Sequence, residues 1–275
     1  MLTQVIILDE KLHIPPSNQD KIIRSAQFIA DRWHTGNLET ELPNDLLPNS
    51  LNEGYSIQNE LVRQLDLTIL GWKLAAASDN QIAQSNLPRG LVGRLFRERS
   101  YQAGDIIQTP TTGALTIECE VGLRLSRDIH PHEALPIDNR LIDEVTINFE
   151  IVRSRFVDRR AIGWPSFVAD NAAFEAIVIG DRLSTEITDE LLISLQRECF
   201  VELDGNNVSS PLVGKNGINP MTSLRYLIDH AREQNLSLLK GQRVTTGAFC
   251  KPFDIPGREH EIRLNYPNYS LEFSI

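Results

Sequence analysis

The chain has 275 residues, of which 41% are hydrophobic and 23% are charged, and its formal net charge at pH 7 is −10. This composition is ordinary for a globular protein with a full core, so we do not expect a disordered chain. The excess of acidic residues argues against binding to a phosphate backbone, which requires clustered basic side chains, and we expect no nucleic-acid partner.

The N-terminal quarter of the chain is predicted to be helical. Its first residues, MLTQVIILDEKLHI, show neither the basic start nor the apolar run of a secretory signal or membrane span, so we expect a cytoplasmic protein without a membrane partner. Apolar residues then recur at helical spacing in QDKIIRSAQFIADR, from Gln19, and in NEGYSIQNELVRQL, from Asn52. Residues 1–66 are therefore predicted to form a helical N-terminal segment.

After residue 66 the sequence changes to short apolar runs separated by glycine and proline, a pattern typical of strands and turns. One long helix is predicted to interrupt these strands, from Pro220 to about Asn235, with a proline in its first turn. The chain is thus predicted to have an α+β fold. Its β-rich core, residues 67–275, is expected to form one structural unit with the helical segment.

Cysteine usage gives no sign of a disulfide framework. The three cysteines, Cys119, Cys199 and Cys250, are far apart in sequence, odd in number and form no CxxC pair. A zinc knuckle is not expected for the same reason. We interpret all three as small buried or half-buried residues.

Two glutamates stand one residue apart in the apolar stretch TIECEVGL, residues 116–123. Because alternate residues of a strand project to the same face, Glu118 and Glu120 would lie side by side. Either this face is open to water, or a divalent cation lies between the two carboxylates. A third acid within an apolar run, Glu150 in VTINFEIV, favours the cation, because three carboxylates supply the oxygen ligands that Mg²⁺ or Mn²⁺ prefers.

Seven motifs follow one another along the chain: NEGYSIQ, GWKLAAAS, ECEVGLRLSRDI, FEIVRSRFVD, VADNAAFEAIVIG, GINPMTSLRYL and VTTGAF. Each motif alone is a weak signal, but the ordered set is specific. From about residue 52 to the C-terminus, the chain resembles the 2-keto-4-pentenoate hydratase and 4-oxalocrotonate decarboxylase branch of the fumarylacetoacetate hydrolase superfamily.

The resemblance implies a mixed β-roll or distorted β-barrel core and a metal site formed by Glu118, Glu120 and Glu150. It also implies that Lys73 lies in the active site, where it would act as a general acid or base. The alternative for Lys73 is a surface lysine that extends from a strand edge into solvent. A homo-oligomer is expected from the same resemblance.

Further residues fall at positions where the family has residues that line the substrate pocket: Arg155, Asp170, Asn171, Ser209, Thr246 and Gly247. For Arg155, which would hold a substrate carboxylate through two hydrogen bonds, the alternative is a structural ion pair. For Asp170 and Asn171 the alternative is a turn in which a side chain bonds to its own backbone.

Two segments depart from the family pattern. SNLPRGLVGRLF lacks the aspartate that the hydratases carry after the lysine, and Asp79, in AASDNQ, is the nearest acid able to replace it in catalysis. In SSPLVGKNGINPM, Pro211 and Lys215 stand where small residues are expected. A positive charge from Arg89, Arg94 or Lys215 at the pocket would favour a substrate with a second carboxylate.

We therefore expect a metal-dependent lyase of aromatic catabolism that adds water to a short 2-keto acid such as 2-keto-4-pentenoate, or to its dienol. A decarboxylase of the 4-oxalocrotonate type and a C–C hydrolase of acylpyruvates would use the same ligands, so both remain alternatives. A third alternative is a binding protein on a catalytically retired enzyme fold, because the family aspartate is missing. An open cavity at the carboxylates would favour an enzyme, and a plugged pocket would favour the binding protein.

Overall fold

The computed structural model describes residues 16–275. Two helices, α1 (Pro16–Thr35) and α2 (Leu51–Leu65), lie in the N-terminal quarter, as the apolar spacing predicts. The side chain of Ser50 caps α2 by accepting a hydrogen bond from the backbone N–H of Glu53. Residues 1–15 of the predicted segment lie outside the described part, and its separation from the core at residue 66 stays a prediction.

Four further helices lie within the β-rich part: α3 (Asp79–Ser85), α4 (Gly163–Ala169), α5 (Asp189–Glu198) and α6 (Pro220–Glu233). Of these the sequence predicts only α6. Helices α3 and α4 have 7 residues each, too few for a periodic apolar pattern. The sequence does not distinguish helix α5 from the following strand, because a single residue separates the two. Within residues 16–275, no helix combines the length and apolar content needed to cross a bilayer.

Twelve strands are present in the described range: β1 (Ile69–Ala75), β2 (Leu91–Phe96), β3 (Ser100–Gln102), β4 (Leu115–Leu125), β5 (Ile142–Val152), β6 (Phe174–Ser184), β7 (Phe200–Leu203), β8 (Asn206–Ser209), β9 (Arg243–Ala248), β10 (Phe253–Ile255), β11 (Glu261–Tyr266) and β12 (Tyr269–Ser274). The larger sheet has the order β2-β1-β9-β4-β5-β6-β3, with β10 also paired to β4. The smaller sheet has the order β12-β11-β7-β8.

The larger sheet is mixed, because β1 pairs in parallel with β9 and β3 with β6, whereas its other pairs are antiparallel. Crossovers between distant strands, such as β1 to β9, bring residues from both ends of the sequence together. The predicted α+β fold with a mixed β-rich core is confirmed.

Strands β4 and β5 form the middle of the larger sheet, and their register positions the acidic residues. Glu118 is paired with Glu150, and Glu120 with Asn148. Glu120 and Glu150 are both 0% exposed, so neither of these two carboxylates reaches water. The alternate residues of β4, among them Cys119, point to the opposite face and join the hydrophobic core.

Helices α1 and α2 share a second hydrophobic cluster with β2 and β6. Trp33 of α1 meets Phe96 of β2 edge-on, with ring centroids 6.0 Å apart, and Phe96 meets Phe174 of β6 at the same distance. Aromatic pairs in this geometry add stabilisation beyond the burial of their surface. The two helices therefore support the strand β2 that lies beside the lysine-bearing strand β1.

A buried ion pair joins the end of β5 to the turn after α4. Arg155 Nε donates to Asp170 Oδ1 at 2.5 Å, and the backbone N–H of Arg155 donates to Asp170 Oδ2 at 3.0 Å. The guanidinium group also donates to the carbonyl oxygen of Phe174 at 2.9 Å and stacks 4.1 Å above the ring of Trp33. Both charged residues are almost completely buried, and Arg155 is compensated by Asp170 at hydrogen-bond distance and by Glu175 at 3.5 Å.

We expect Asp170→Asn to lower the free energy of unfolding by about 3–5 kcal/mol, because it removes the carboxylate hydrogen-bonded to the buried Arg155 and leaves only Glu175, at 3.5 Å, as a counter-charge. The measurement is equilibrium unfolding in denaturant. Arg63→Gln is the matched control, because Arg63 pairs with Glu60 at the surface of α2 and its loss should leave the unfolding midpoint nearly unchanged. Equal midpoints for wild type and Asp170→Asn would contradict the structural role of the ion pair.

Candidate metal centre and active-site cavity

Three carboxylates from β4 and β5 meet in the middle of the larger sheet. Each of Glu118, Glu120 and Glu150 has a carboxylate oxygen, and these oxygens all lie within 4.8 Å of one another. Strand alternation places the first two on one face, and the antiparallel register brings the third beside them. Glu118 is half-buried, whereas the other two are fully buried. The structure thus brings together the three ligands predicted from sequence.

Two of the buried carboxylate oxygens have no hydrogen-bond donor among the described residues: Glu120 Oε1 and Glu150 Oε2. Glu120 Oε2 accepts the backbone N–H of Gly247 at 2.7 Å, and Glu150 Oε1 lies 2.5 Å from Lys73 Nζ. Leaving a charged oxygen buried without a partner is costly. These free lone pairs are therefore suited to a cation.

The electrostatics of the cluster lead to the same conclusion. Burial raises the pKa of Glu120 well above its usual range, and the charges of Glu150 and Glu118 raise it further. Burial also raises the pKa of Glu150 to about 7, although the adjacent Lys73 opposes this shift. A divalent cation among the three carboxylates would offset both the desolvation and the repulsion. An all-oxygen ligand set fits Mg²⁺ or Mn²⁺.

Lys73, on β1, is held at the edge of the carboxylate cluster. It is 1% exposed, and its Nζ donates to the carbonyl oxygen of Ala172 at 2.9 Å. Gly93 of β2 lies directly opposite, and a Cβ at that position would be 2.9 Å from Lys73 Cγ. The glycine therefore makes room for the lysine side chain. Lys73 is thus a buried residue, not the surface lysine that was the alternative.

A cavity of about 400 Å³ opens beside this lysine and Glu118. Its other charged or polar lining residues are Gln81, Arg159 and Arg160. Its apolar walls are formed by Ala75, Ala76, Ala77, Val152, Trp164, Phe167, Ala172, Gly247, Ala248 and Pro252. A concave site with apolar walls and a few convergent polar groups suits a small molecule.

Three residues of the cavity lining have left-handed backbone conformations. The φ angles are 50° at Ala76, 50° at Ala172 and 99° at Gly247. For alanine this conformation costs free energy and persists only where the surrounding structure enforces it. At Ala172 this conformation directs the carbonyl oxygen toward Lys73. Gly247, which has a similar backbone conformation, donates its N–H to Glu120. The backbone strain thus orients groups around the carboxylates.

Of the six residues expected to contact substrate, only Gly247 lines the cavity. Arg155 and Asp170 form the buried ion pair described above. The amide of Asn171 binds the backbone of Arg94, accepting from its N–H at 2.7 Å and donating to its carbonyl oxygen at 2.9 Å. Their polar groups are already bonded to protein atoms, and none of the three residues belongs to the cavity lining.

The remaining predicted residues also lie away from the cavity lining. The Ser209 hydroxyl donates to the carbonyl oxygen of Lys251 at 2.5 Å, and the Thr246 hydroxyl donates to that of Val121 at 2.8 Å. Asp79 is exposed at the first turn of α3, where Gln81, two residues later, lines the cavity. A replacement for the family aspartate is therefore not found at Asp79.

The basic residues expected at the pocket mouth are corrected by the structure. Arg89 is neutralised by Glu233 at 2.5 Å, Arg94 stacks on Trp72, and Lys215 lies on an exposed turn. Besides Lys73, the positive charges of the cavity come from Arg159 and Arg160, which are not among the residues predicted from sequence. The signal was the adjacent arginine pair in RSRFVDRRAIGW, directly after the strand that carries Glu150.

No family model matches the sequence, and no curated protein matches it either. Solved structures match its fold. 4-Oxalocrotonate decarboxylase from Pseudomonas putida G7, complexed with magnesium and adipate, aligns with a TM-score of 0.79 at 18% identity, covering 93% of this chain and 97% of that chain. The same enzyme complexed with calcium and acetate gives 0.76 at 19% identity, with the same coverage.

A more distant match is 5-carboxymethyl-2-hydroxymuconate delta-isomerase from Mycobacterium smegmatis, with a TM-score of 0.52 at 12% identity over 75% of this chain and 79% of that chain. Identities this low establish the fold alone. The chain therefore has the fold of 4-oxalocrotonate decarboxylase, and the resemblance predicted from its sequence is confirmed at the level of the fold.

We expect Glu120→Gln to weaken Mn²⁺ binding by about 100-fold or more, because it removes an anionic ligand from the cluster. In metal-free protein the same substitution should raise the unfolding temperature, because it relieves repulsion among buried carboxylates. Added Mn²⁺ should stabilise the wild type and not the variant. Calorimetric titration and thermal unfolding measure the two effects.

Glu198→Gln is the control for this prediction, because it removes one negative charge from an exposed position on α5. It should bind Mn²⁺ like the wild type. Undiminished Mn²⁺ affinity in Glu120→Gln would mean that the ion binds elsewhere.

Proposed function

We propose that the chain is a divalent-metal-dependent lyase that acts on a short 2-keto acid or its dienol. One observation carries the proposal: a cluster of three carboxylates with free buried oxygens adjoins an open cavity that is also lined by Lys73. The fold, shared with a decarboxylase whose structure contains magnesium, supports it. An open cavity favours an enzyme over a retired fold whose pocket is plugged.

We propose that Glu118, Glu120 and Glu150 hold Mg²⁺ or Mn²⁺. When bound, the cation would offset the negative charge that develops on the 2-oxygen of a 2-keto acid as an enolate forms. Glu118 is the one of the three that lines the cavity, so a substrate would reach the ligand cluster on its side. The apolar walls, including Trp164 and Phe167, would exclude water from the rest of the substrate.

Lys73 is the residue we assign to proton transfer. Its Nζ is fixed between the Glu150 carboxylate at 2.5 Å and the Ala172 carbonyl oxygen at 2.9 Å, and its side chain lines the cavity. In this position Nζ can deliver a proton to the far carbon of a dienol or receive one from it. Gln81 also lines the cavity, and its amide can orient a water molecule but cannot take up a proton.

The substrate is proposed to carry a second carboxylate. Arg159 and Arg160 place two positive charges in a lining that otherwise contains only Lys73 as a cation. Guanidinium groups bind carboxylates through paired hydrogen bonds. Adipate, bound in the structure of the decarboxylase, is itself a dicarboxylate, which supports this assignment.

Hydration is the reaction that the sequence motifs favour, and decarboxylation is the second candidate. Two observations favour decarboxylation: the arginine pair, and the fact that Glu118 is the one carboxylate among the described lining residues. Hydration, like C–C hydrolysis of an acylpyruvate, requires a base to activate water, whereas loss of carbon dioxide requires only delocalisation of charge toward the 2-oxygen. The cytoplasmic location and homo-oligomeric state stay predictions from sequence.

The proposal is tested by supplying freshly generated 2-hydroxypenta-2,4-dienoate and, separately, 2-oxohex-3-enedioate. We expect loss of ultraviolet absorbance that requires Mg²⁺ or Mn²⁺ and stops on chelation. Mass analysis of the product then separates the gain of water from the loss of carbon dioxide. Lack of turnover of both compounds by protein that binds Mn²⁺ would contradict the proposal.

Lys73→Met should lower kcat by about 10²–10⁴-fold, the range typical of a lost general acid or base. The variant keeps the length of the buried side chain but cannot carry a proton. Lys251→Met changes an exposed lysine and should leave kcat unaltered. Full activity of Lys73→Met would exclude the assigned role.

Arg160→Gln should raise KM for the dicarboxylic compound by about 10-fold or more and leave KM for the monocarboxylic dienoate unchanged, because a hydrogen bond between charged groups is lost. Arg160 is suited to this test because its side chain is exposed at the cavity. Arg140→Gln, at the exposed pair with Asp138, serves as the control. Equal KM changes for both compounds would rule out recognition of a second carboxylate at this position.

A further inference from the structure

The three cysteines converge at one point in the fold, although they are far apart in sequence. Cys119 lies on β4, Cys199 lies between α5 and β7, and Cys250 follows β9. Their sulfur atoms all lie within 4.8 Å of one another. All three are free thiols that are at most 4% exposed. The cluster is separate from the carboxylates, because Cys119 projects from the opposite face of β4 to Glu118 and Glu120.

The geometry of the cluster is that of a three-sulfur ligand set. For metal–sulfur bonds of about 2.3 Å, three sulfurs in a plane around one ion lie about 4 Å apart. The observed separations are within small side-chain adjustments of that arrangement. Backbone hydrogen bonds fix two members relative to each other, because the N–H groups of Phe249 and Cys250 donate to the carbonyl oxygen of Cys119 at 2.7 and 3.3 Å.

We propose that Cys119, Cys199 and Cys250 form a buried binding site for a thiophilic metal ion, Cu(I). Soft sulfur ligands select soft ions such as Cu(I), and hard cations prefer the carboxylate cluster. Structural zinc sites require four ligands, whereas this group contains three among the described residues. The surrounding side chains belong to the hydrophobic core, which leaves no exposed surface for a water ligand. Three-coordinate sulfur ligation is a geometry that Cu(I) accepts.

Binding of Cu(I) also has to balance protons and charge. Binding replaces thiol protons by the metal, and in an apolar environment each uncompensated negative charge is costly. Each sulfur that binds as a thiolate releases one proton to solvent, copper stays in the Cu(I) state, and one thiolate is enough to neutralise the charge of the ion. The alternative is that the three thiols are packed only as small apolar side chains.

The test is an anaerobic titration of the reduced full-length chain with Cu(I) against the chromophoric chelator bicinchoninate. We expect one Cu(I) per chain and, in X-ray absorption spectra, about three sulfur neighbours around the copper. Cys199→Ala should weaken Cu(I) binding by about 100-fold or more, because it removes one ligand. Cys250→Ala provides a second variant in case the first does not fold, as judged by circular dichroism.

Two controls separate this site from the carboxylate cluster. Cys199→Ala should bind Mn²⁺ like the wild type, and Glu120→Gln should bind Cu(I) like the wild type. The proposal is overturned if the wild type fails to compete with the chelator, if wild type and both cysteine variants bind Cu(I) equally, or if Zn²⁺ binds at the cysteines and Cu(I) does not. Because no enzymatic assay is involved, failure here leaves the proposed lyase function unaffected.

Discussion

Repulsion among three carboxylates inside a β-sheet is the constraint around which the site is built. Glu120 and Glu150 are buried with unpartnered oxygens, and Glu118 adds a third charge within 4.8 Å. The protein supplies only partial compensation, through the ammonium group of Lys73 and the backbone N–H of Gly247. A cation would complete this compensation. By relieving this repulsion, a divalent ion would bind with favourable free energy at the proposed site.

The surrounding fold fixes the groups that provide this compensation. Lys73 is oriented by the carbonyl oxygen of Ala172, which belongs to a strained left-handed turn. Two interactions hold this segment in place. The side-chain amide of Asn171 is hydrogen-bonded to the backbone of Arg94, and Asp170 forms the buried ion pair with Arg155. Residues that the family resemblance suggested as substrate contacts thus act on the site through the residues that they position.

The parts of the site that depend on local pattern could be predicted from sequence. Alternation within TIECEVGL placed two ligands on one face, and an isolated acid in the next long apolar run supplied the third. The arginines at the cavity could not be assigned, because the loop that carries Arg159 and Arg160 reaches the cavity only through tertiary folding. The convergence of the cysteines could not be predicted from sequence either, because it depends on the pairing of β9 with β4 and on the position of α5.

The proposed function depends on a cation bound by the carboxylate cluster at the edge of the cavity. Its most direct test is anomalous X-ray diffraction from crystals of the protein soaked in Mn²⁺. We expect one strong anomalous peak within about 2.2 Å of oxygens from Glu118, Glu120 and Glu150, as for other small divalent ions with oxygen ligands. A peak at another position, or none at saturating Mn²⁺, would contradict it.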